Sequence, residues 1–204
     1  MDNVSLRVDG PTLTLRYATV EDAPALFALA SDAEVTRFFS WGPYERVEQA
    51  ESYIAGLPDR RDRGETLDLL IIDRERGPIG VTGLSELSRR DRRCILGTWL
   101  GRPWWGTGAN AESKALVARL AFDVLGMQRL GAYTNPDNLR SQRALEKLGF
   151  AREGKLAAFH RHGDRVHDVL VYGLLRGAWE RSPMADVSVR VEGEPPPAFV
   201  VSGD

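Results

Sequence analysis

The chain has 204 residues, of which 43% are hydrophobic and 27% charged, as in an ordinary globular domain. Its formal net charge of −2 gives no reason to expect nucleic acid or an anionic membrane as a partner. No apolar run approaches the ~20 residues of a membrane span, and the N-terminal residues lack the pattern of a secretion signal. The single cysteine, Cys94, cannot form an internal disulfide, which fits a reducing compartment. We therefore predict a cytoplasmic protein.

The spacing of apolar residues predicts an alternation of strands and helices in the order β-α-α-β-β-β-α-β-α-β-β. Alternation with period two indicates the strands, and apolar residues three and four apart indicate the helices. The predicted elements are a strand at 12–17, helices at 23–31 and 45–57, strands at 67–73, 78–87 and 94–100, a helix at 109–125, a strand at 129–133, a helix from 138 to 148, and strands at 150–158 and 166–175. The last two strands are expected to flank a turn at Gly163-Asp164.

Local signals place several boundaries of these elements. Thr19 and Asp22 resemble a capping box at the start of the first helix. Pro58 is expected to end the second helix, followed by a charged loop at 59–64. Because the chain shows neither internal repeats nor a linker, we predict one mixed α/β domain, residues 1–182. Residues 183–204 are expected to form a C-terminal arm that could add a short strand or a subunit contact.

A glycine-rich turn, Trp104-Trp105-Gly106-Thr107-Gly108-Ala109-Asn110, separates the strand at 94–100 from the helix that follows it. A strand that enters a helix through two glycines brings several backbone N–H groups to one point, where the helix dipole favours an anion. The spacing also fits a dinucleotide fingerprint, but that fold needs βαβ units before the turn, and the preceding strands here are joined as hairpins. A P-loop would need lysine and then serine or threonine directly after its last glycine. Here Gly106 is followed by Thr107, so a P-loop is excluded. A turn without any ligand is the remaining alternative.

Two motifs carry a resemblance to a known family. The run from Trp105 to Glu112 resembles the acyl-CoA pyrophosphate loop of GNAT N-acyltransferases, in the form of the RimJ/RimL branch, which acetylates the N-termini of ribosomal proteins. The run from Asn135 to Phe150, with its terminal Leu-Gly-Phe, is similar to the second cofactor motif of that branch. The resemblance covers residues 12 to about 180 and implies a mixed, V-split central β-sheet flanked by helices. Trp105 and Asn110 depart from the general superfamily pattern at its first and last positions.

The resemblance implies acetyl-CoA as the cofactor, bound between the strand that ends at Leu100 and the strand at 129–133. The diphosphate would lie on backbone N–H groups of the turn, and the pantetheine arm would pair with the backbone of residues 97–100. A backbone N–H near Trp99 or Leu100 would stabilise the oxyanion. The implied cofactor-binding residues are Trp99, Leu100, Trp105, Gly106, Thr107, Gly108, Ala109, Asn110, Asn138 and Ser141.

Direct acetyl transfer to an amine within a ternary complex needs two proton transfers. Ser141, which in this branch faces the CoA sulfur, is the expected proton donor to the departing thiolate, with a plain helix cap as the alternative. His160 stands where the family often has a glutamate, and histidine titrates near the working pH, so it is the expected general base. A surface histidine is the alternative. Asp168 is the second candidate, either as a base or as the partner that orients His160, with a salt bridge to a nearby arginine as its alternative.

The acceptor is expected to be a primary amine, either a protein or peptide N-terminus or a small amine. The resemblance implies that an aromatic segment walls the acceptor pocket, with core packing as the alternative; its residues are Phe38, Phe39, Trp41 and Tyr44. Three histidines near position 160 lack the spacing of a metal site, so no metal is expected. A homodimer is left open. Because the family glutamate is missing, an acyl-CoA-binding regulatory or scaffold module without transferase activity is the alternative function.

Overall fold

The computed structural model describes residues 5–162 and 164–201; the predicted turn residue Gly163 and the end of the C-terminal arm lie outside them. Within these residues, nine strands form one sheet in the order β7-β8-β6-β5-β4-β3-β2-β1-β9. The strands are β1 Arg7–Asp9, β2 Leu13–Arg16, β3 Thr66–Asp73, β4 Gly77–Ser88, β5 Arg93–Leu100, β6 Arg129–Thr134, β7 Ala151–His162, β8 Arg165–Leu175 and β9 Arg190–Glu192. The helices are α1 Ala23–Ala30, α2 Ala33–Thr36, α3 Val47–Ala55, α4 Leu57–Asp62, α5 Ala109–Arg119, α6 Leu139–Lys147 and α7 Arg176–Trp179.

The sheet divides between β5 and β6. These two strands pair in parallel from Arg93↔Arg129 to Ile95↔Gly131 and share no further pair in the described chain, whereas every other pairing in the sheet is antiparallel. The rest of β5 and the rest of β6 therefore diverge, and a backbone edge is left open on each side of the gap. The predicted mixed, V-split sheet flanked by helices is confirmed.

Side chains alternate between two apolar layers, one on each face of the sheet. Leu67, Leu69 and Ile71 of β3 are buried in the larger core, which also holds the apolar face of α5. Leu70, between the last two, is buried in a smaller core with residues of α1 and α3. We call the side of the sheet that carries Leu70 the α1–α3 face. The open part of β5 presents residues to both layers, because successive side chains point to opposite faces of a strand.

The structure departs from the sequence prediction at α4. The predicted loop at 59–64 is largely helical, and Pro58 lies in the first turn of α4 instead of ending the helical stretch. Proline is tolerated in a first turn because the N–H groups there have no partner inside the helix. The helix predicted to run to residue 125 changes after Arg119 into a π-helical turn, Leu120–Val124. The capping box is present, with Thr19 N donating to Asp22 Oδ2 at 2.8 Å.

The arm packs on its own chain over the residues that are described. Within it, β9 pairs with β1, a strand that the sequence pattern does not predict. Phe199 is fully buried, and the Arg89 guanidinium donates to the carbonyl oxygens of Pro197 and Ala198 at 2.6 and 3.1 Å. The domain boundary at residue 182 stays a prediction. Across residues 5–162 and 164–201, no helix combines the length and the apolar character needed to cross a bilayer.

Candidate active site

The glycine-rich turn forms an open cradle at the start of α5. Gly106 and Gly108 have φ angles of +78° and +97°, a region that L side chains rarely adopt. A Cβ built on either glycine would meet nothing within 4 Å, and both residues are exposed. Thr107 Oγ1 donates to Trp104 O at 2.9 Å and so fixes the turn from within. The loop therefore keeps its concave shape and leaves the space above it free.

Four backbone N–H groups of this loop are available to a ligand. Those of Gly106, Thr107, Gly108 and Asn110 donate to no residue in the described part of the chain. Ala109 N has only a long contact, 3.4 Å, to a threonine hydroxyl. α5 begins at this point, and its N-terminal dipole adds a partial positive charge. The donors and the open glycines fit a diphosphate group.

Asn110 does not cap α5 with its side chain. Its Oδ1 accepts a hydrogen bond from Lys114 Nζ at 2.7 Å, and Gly108 holds the cap position. Lys114 is buried, and burial lowers the pKa of its ammonium group to about 7. The Asn110 side chain, which departs from the superfamily pattern, therefore makes its contact inside α5. It does not occupy the backbone N–H groups of the loop, which remain available to a ligand. Lys114 is not an exposed cation.

Trp105 ties the loop to the two elements on either side of the split. Its indole Nε1 donates to Leu100 O, at the end of β5, at 2.9 Å. The guanidinium carbon of Arg140, in the first turn of α6, lies 3.2 Å from the centre of the Trp105 ring. A cation stacked on an indole face is attracted by the negative potential of the ring. The first and second predicted cofactor motifs are therefore in direct contact.

The start of α6 presents a free hydroxyl. Asn138 Oδ1 accepts from Ser141 N at 3.1 Å, which caps the helix. Ser141 is partly exposed, and its Oγ has no hydrogen-bond partner among the residues that the structure describes. The hydroxyl is therefore not consumed by capping, because the cap is supplied by the asparagine.

An aromatic cluster brings His160 to β6. The His160 ring lies 5.8 Å from the Tyr133 ring and 5.2 Å from the Phe159 ring. Tyr133 stands on β6 beyond the last pair with β5, and its hydroxyl donates to Glu86 Oε2 at 3.2 Å. No sequence motif indicates a role for Tyr133 or Glu86. A tyrosine in a strand ordinarily indicates a residue of the hydrophobic core. Glu86 lies here because the register of β4 with β5 is irregular at this point, and such an irregularity leaves no pattern in the sequence.

Asp168 supports the same region from β8. Its carboxylate is 2.6 Å from Lys155 Nζ and accepts from Ala158 N at 2.9 Å. The hydrogen bond from Lys155 and the one from Ala158 lower the pKa of Asp168, so it is an anion near neutral pH. It lies opposite an irregular stretch of β7 in which Ala158 has a φ of +53°. This stretch immediately precedes His160, whose position therefore depends on it.

Three of the four predicted wall residues form an aromatic cluster with Trp99 of β5 on the α1–α3 face. The Trp41 ring lies 5.2 Å from Phe39, 5.5 Å from Tyr44 and 5.4 Å from Trp99, the β5 residue. Phe38 instead lies 5.3 Å from the Arg37 guanidinium. The aromatic segment is thus anchored to the open end of β5. An apolar wall beside a backbone edge can hold the carbon skeleton of a substrate.

The three histidines form a row along the β7–β8 hairpin. The His160 and His162 rings are 6.4 Å apart, and His162 and His167 are 4.8 Å apart. Burial, together with the two neighbouring histidines, lowers the pKa of His162. Among the described residues there is no group of three or more His, Cys, Asp or Glu side chains that could hold a metal ion.

Comparisons with known proteins agree with this architecture. The family model of the acetyltransferase (GNAT) domain matches residues 12–151. The uncharacterized N-acetyltransferase p20 of Bacillus licheniformis is 32% identical over 165 residues, which cover 80% of this chain and 93% of that protein. The solved structure of a candidate acetyltransferase from T. thermophilus is 31% identical, with a TM-score of 0.75 over 89% of this chain and 97% of that one. The ribosomal protein uS5-alanine N-acetyltransferase of Escherichia coli is 33% identical over 39% of this chain and 42% of its own length.

The chain therefore belongs to the GNAT acetyltransferase family. It is an N-acetyltransferase that uses acetyl-CoA, and ribosomal-protein acetyltransferases are among its relatives. The predicted RimJ/RimL-like resemblance is confirmed.

Proposed function

We propose that this protein transfers the acetyl group of acetyl-CoA directly to a primary amine, with cofactor and amine bound together at the split between β5 and β6. The observation that carries this proposal is the set of free donors at Gly106 to Asn110 beside an open β5 edge. On the α1–α3 face of the same edge lies the aromatic wall at Trp99. A cofactor site and a substrate wall thus meet along one strand.

Acetyl-CoA supplies an activated thioester when bound. The loop N–H groups hold its diphosphate, and the edge of β5 that has no partner beyond Ile95 holds the pantetheine arm by backbone pairing. The backbone N–H of Leu100 would face the thioester oxygen and stabilise the negative charge that develops there, because those of Trp99 and Gly101 are directed toward β4. These donors belong to the main chain, so this part of the site depends on backbone position more than on side-chain identity.

Two side chains carry out the proton transfers of the reaction. The free hydroxyl of Ser141 donates to the departing thiolate, and Asn138 holds the start of α6 in place for it. His160 removes a proton from the amine, directly or through a water molecule, so that the nitrogen lone pair can attack. Asp168 positions His160 by holding the irregular stretch of β7 at Ala158.

The acceptor is an amine with an apolar portion, since the wall beside β5 is aromatic. A peptide N-terminus is the first acceptor to test. The relative from Escherichia coli is named for acetylating an alanine of ribosomal protein uS5, and small amines such as polyamines form the second group.

The test is turnover with acetyl-CoA against a panel of peptides and small amines, followed by thiol release and product mass. We expect Ser141→Ala and His160→Ala each to lower kcat by roughly 100-fold, since general acid–base catalysis contributes that order of rate. The KM for acetyl-CoA should stay close to that of the unaltered enzyme. His162→Ala, on the same strand, is the matched control and should remain active.

Full activity in both Ser141→Ala and His160→Ala would overturn these roles. Stabilisation by CoA without thiol release for any amine would instead support a CoA-binding module and contradict transfer.

A further inference from the structure

One carboxylate lies in a row of residues that leads across the sheet to the split. In the strand register, Asp68 of β3 faces Gly83 of β4, and Gly83 faces Gly97 of β5. Directly paired residues share a face of the sheet. Tyr53 of α3 contacts Asp68, so this row lies on the α1–α3 face. Trp99 is on the same face, two residues along β5 from Gly97.

The two glycines turn this row into a groove. A Cβ built on Gly83 would lie 2.3 Å from Asp68 Oδ1, so the carboxylate occupies the space above Gly83 and reaches toward β5. A Cβ on Gly97 would meet nothing within 4 Å, and Gly97 is exposed. Because neighbouring strands are ~4.8 Å apart, Asp68 Oδ1 is about one strand spacing from the open space above Gly97.

Only one oxygen of this carboxylate has a protein partner. Tyr53 Oη donates to Asp68 Oδ2 at 2.9 Å, whereas Asp68 Oδ1 accepts no hydrogen bond within residues 5–162 and 164–201. Asp68 Oδ1 is nevertheless in contact with solvent, so it borders open space. Burial raises the pKa of Asp68 more than the Tyr53 bond and Arg60 lower it.

Arg60 lowers the pKa of Asp68 through its charge but forms no ion pair with it. Arg60 donates to the carbonyl oxygens of Tyr53 and Gly56 and lies over the Tyr53 ring. Across the described residues no ion pair to Asp68 is shorter than 4.0 Å. A desolvated carboxylate without a cation is unfavourable, and a positively charged ligand in the groove would relieve this.

We propose that Asp68 binds the reacting ammonium group of the acceptor in the groove above Gly97. This inference rests on the proposed transferase function and adds that the acceptor arrives as a cation. Asp68 holds the ammonium group beside the open edge of β5, and the aromatic wall at Trp99 packs against the apolar part of the substrate. Tyr53 fixes the carboxylate by holding its other oxygen. No sequence pattern indicates this site, because Asp68 lies within an apolar run.

The test compares acceptor kinetics of Asp68→Asn with those of the unaltered enzyme, using a cationic amine that the enzyme acetylates. Asparagine keeps the shape and removes the charge. We expect the KM for the amine to rise by about 10- to 100-fold, because hydrogen bonds to charged groups contribute that much to binding. The KM for acetyl-CoA should not change. With an alkoxyamine, which is uncharged at pH 7, the Asp68→Asn variant should lose far less activity than it does with the cationic amine.

Two further variants make the outcome unambiguous. Asp62→Asn alters an exposed aspartate of α4 and should leave the KM for the amine unchanged. Gly97→Ala places a methyl group in open space, so the fold is retained while the groove is obstructed, and the KM for the amine should rise.

An unchanged KM for the amine in folded Asp68→Asn, or in Gly97→Ala, contradicts the inference. If the unaltered enzyme acetylates no amine at all, the proposed function fails instead, and the two failures are therefore distinguishable.

Discussion

Lys114 is a buried amine in α5, close to the glycine-rich loop along the chain. Its ammonium group is buried in α5 with Asn110 Oδ1 as its partner. Burial lowers its pKa to about 7, from an ordinary value near 10.5 in the unfolded chain. Between these two values the unfolded chain binds more protons than the folded one. The free energy of unfolding should therefore rise with pH across this window, and the full penalty applies below pH 7.

Replacing Lys114 with methionine should abolish this pH dependence. For the unaltered protein, we expect Lys114 to contribute a rise of about 2 kcal/mol in the free energy of unfolding between pH 7 and pH 9. Urea unfolding at the two pH values measures it, and Lys147→Met, on the exposed side of α6, is the control. Parallel pH profiles for Lys114→Met and the unaltered protein would show that the ammonium group is not desolvated.

Some site residues can be placed from sequence and others cannot. Asn138 and Ser141 follow a fixed offset from a helix start, so their roles at the cap can be read along the chain. Asp68 and Tyr133 come near the split only through strand register across the sheet. Pairing between distant strands leaves no local pattern, and both residues read as ordinary strand positions.

The glycine loop allows a direct test of backbone geometry. Gly108 and Gly77 have φ angles of +97° and +81°, and neither has an atom within 4 Å of an added Cβ. Gly77 is the first residue of β4, directly after the turn from β3, and lies far along the chain from the loop. Alanine at either position should lower the free energy of unfolding by about 1 kcal/mol, because left-handed backbone is unfavourable for L residues.

Only Gly108→Ala should weaken CoA binding. A shift of the backbone at this position moves the donors of Gly106 to Asn110, and we expect the Kd for CoA to rise roughly tenfold for the loss of one charge-assisted contact. Titration calorimetry with both variants measures it. Equal CoA affinity in Gly108→Ala and Gly77→Ala would mean that the loop does not hold the diphosphate.

Helices and strands with a strong period are predictable from the sequence, and short or ambiguous ones are not. The strand at β3 and the helix at α5 follow long apolar patterns, which place them to within a few residues. β1 has three residues, too few for a period to show, and it is stabilised by pairing with β2 and β9. At α4, proline predicts a helix end, although the same residue is suited to a first helical turn.

The C-terminal arm contributes to the fold of its own chain. Phe199 is fully buried in the larger core, and β9 completes one edge of the sheet. Phe199→Ala should lower the free energy of unfolding by about 3–5 kcal/mol, the range for removing a buried phenylalanine. Val20→Ala, at an exposed position, is the control. A change below about 1 kcal/mol for Phe199→Ala would show that the arm is not part of the core.

Shortening the chain to end at residue 189 tests whether the arm also joins subunits. The cut removes β9 and Phe199, so the free energy of unfolding should fall. Because the described arm contacts are internal to the chain, we expect the number of subunits, measured by light scattering, to stay the same. A smaller number of subunits after truncation would assign the arm to a subunit interface.

Direct transfer at the β5–β6 split is tested most directly by following where the acetyl group goes. The purified enzyme is incubated with acetyl-CoA alone and with acetyl-CoA plus an amine, and the masses of protein and amine are measured alongside thiol release. Direct transfer predicts an unmodified protein in both cases and one acetyl group on the amine for each thiol released. An acetylated protein that forms without the amine and then passes its acetyl group on would contradict it.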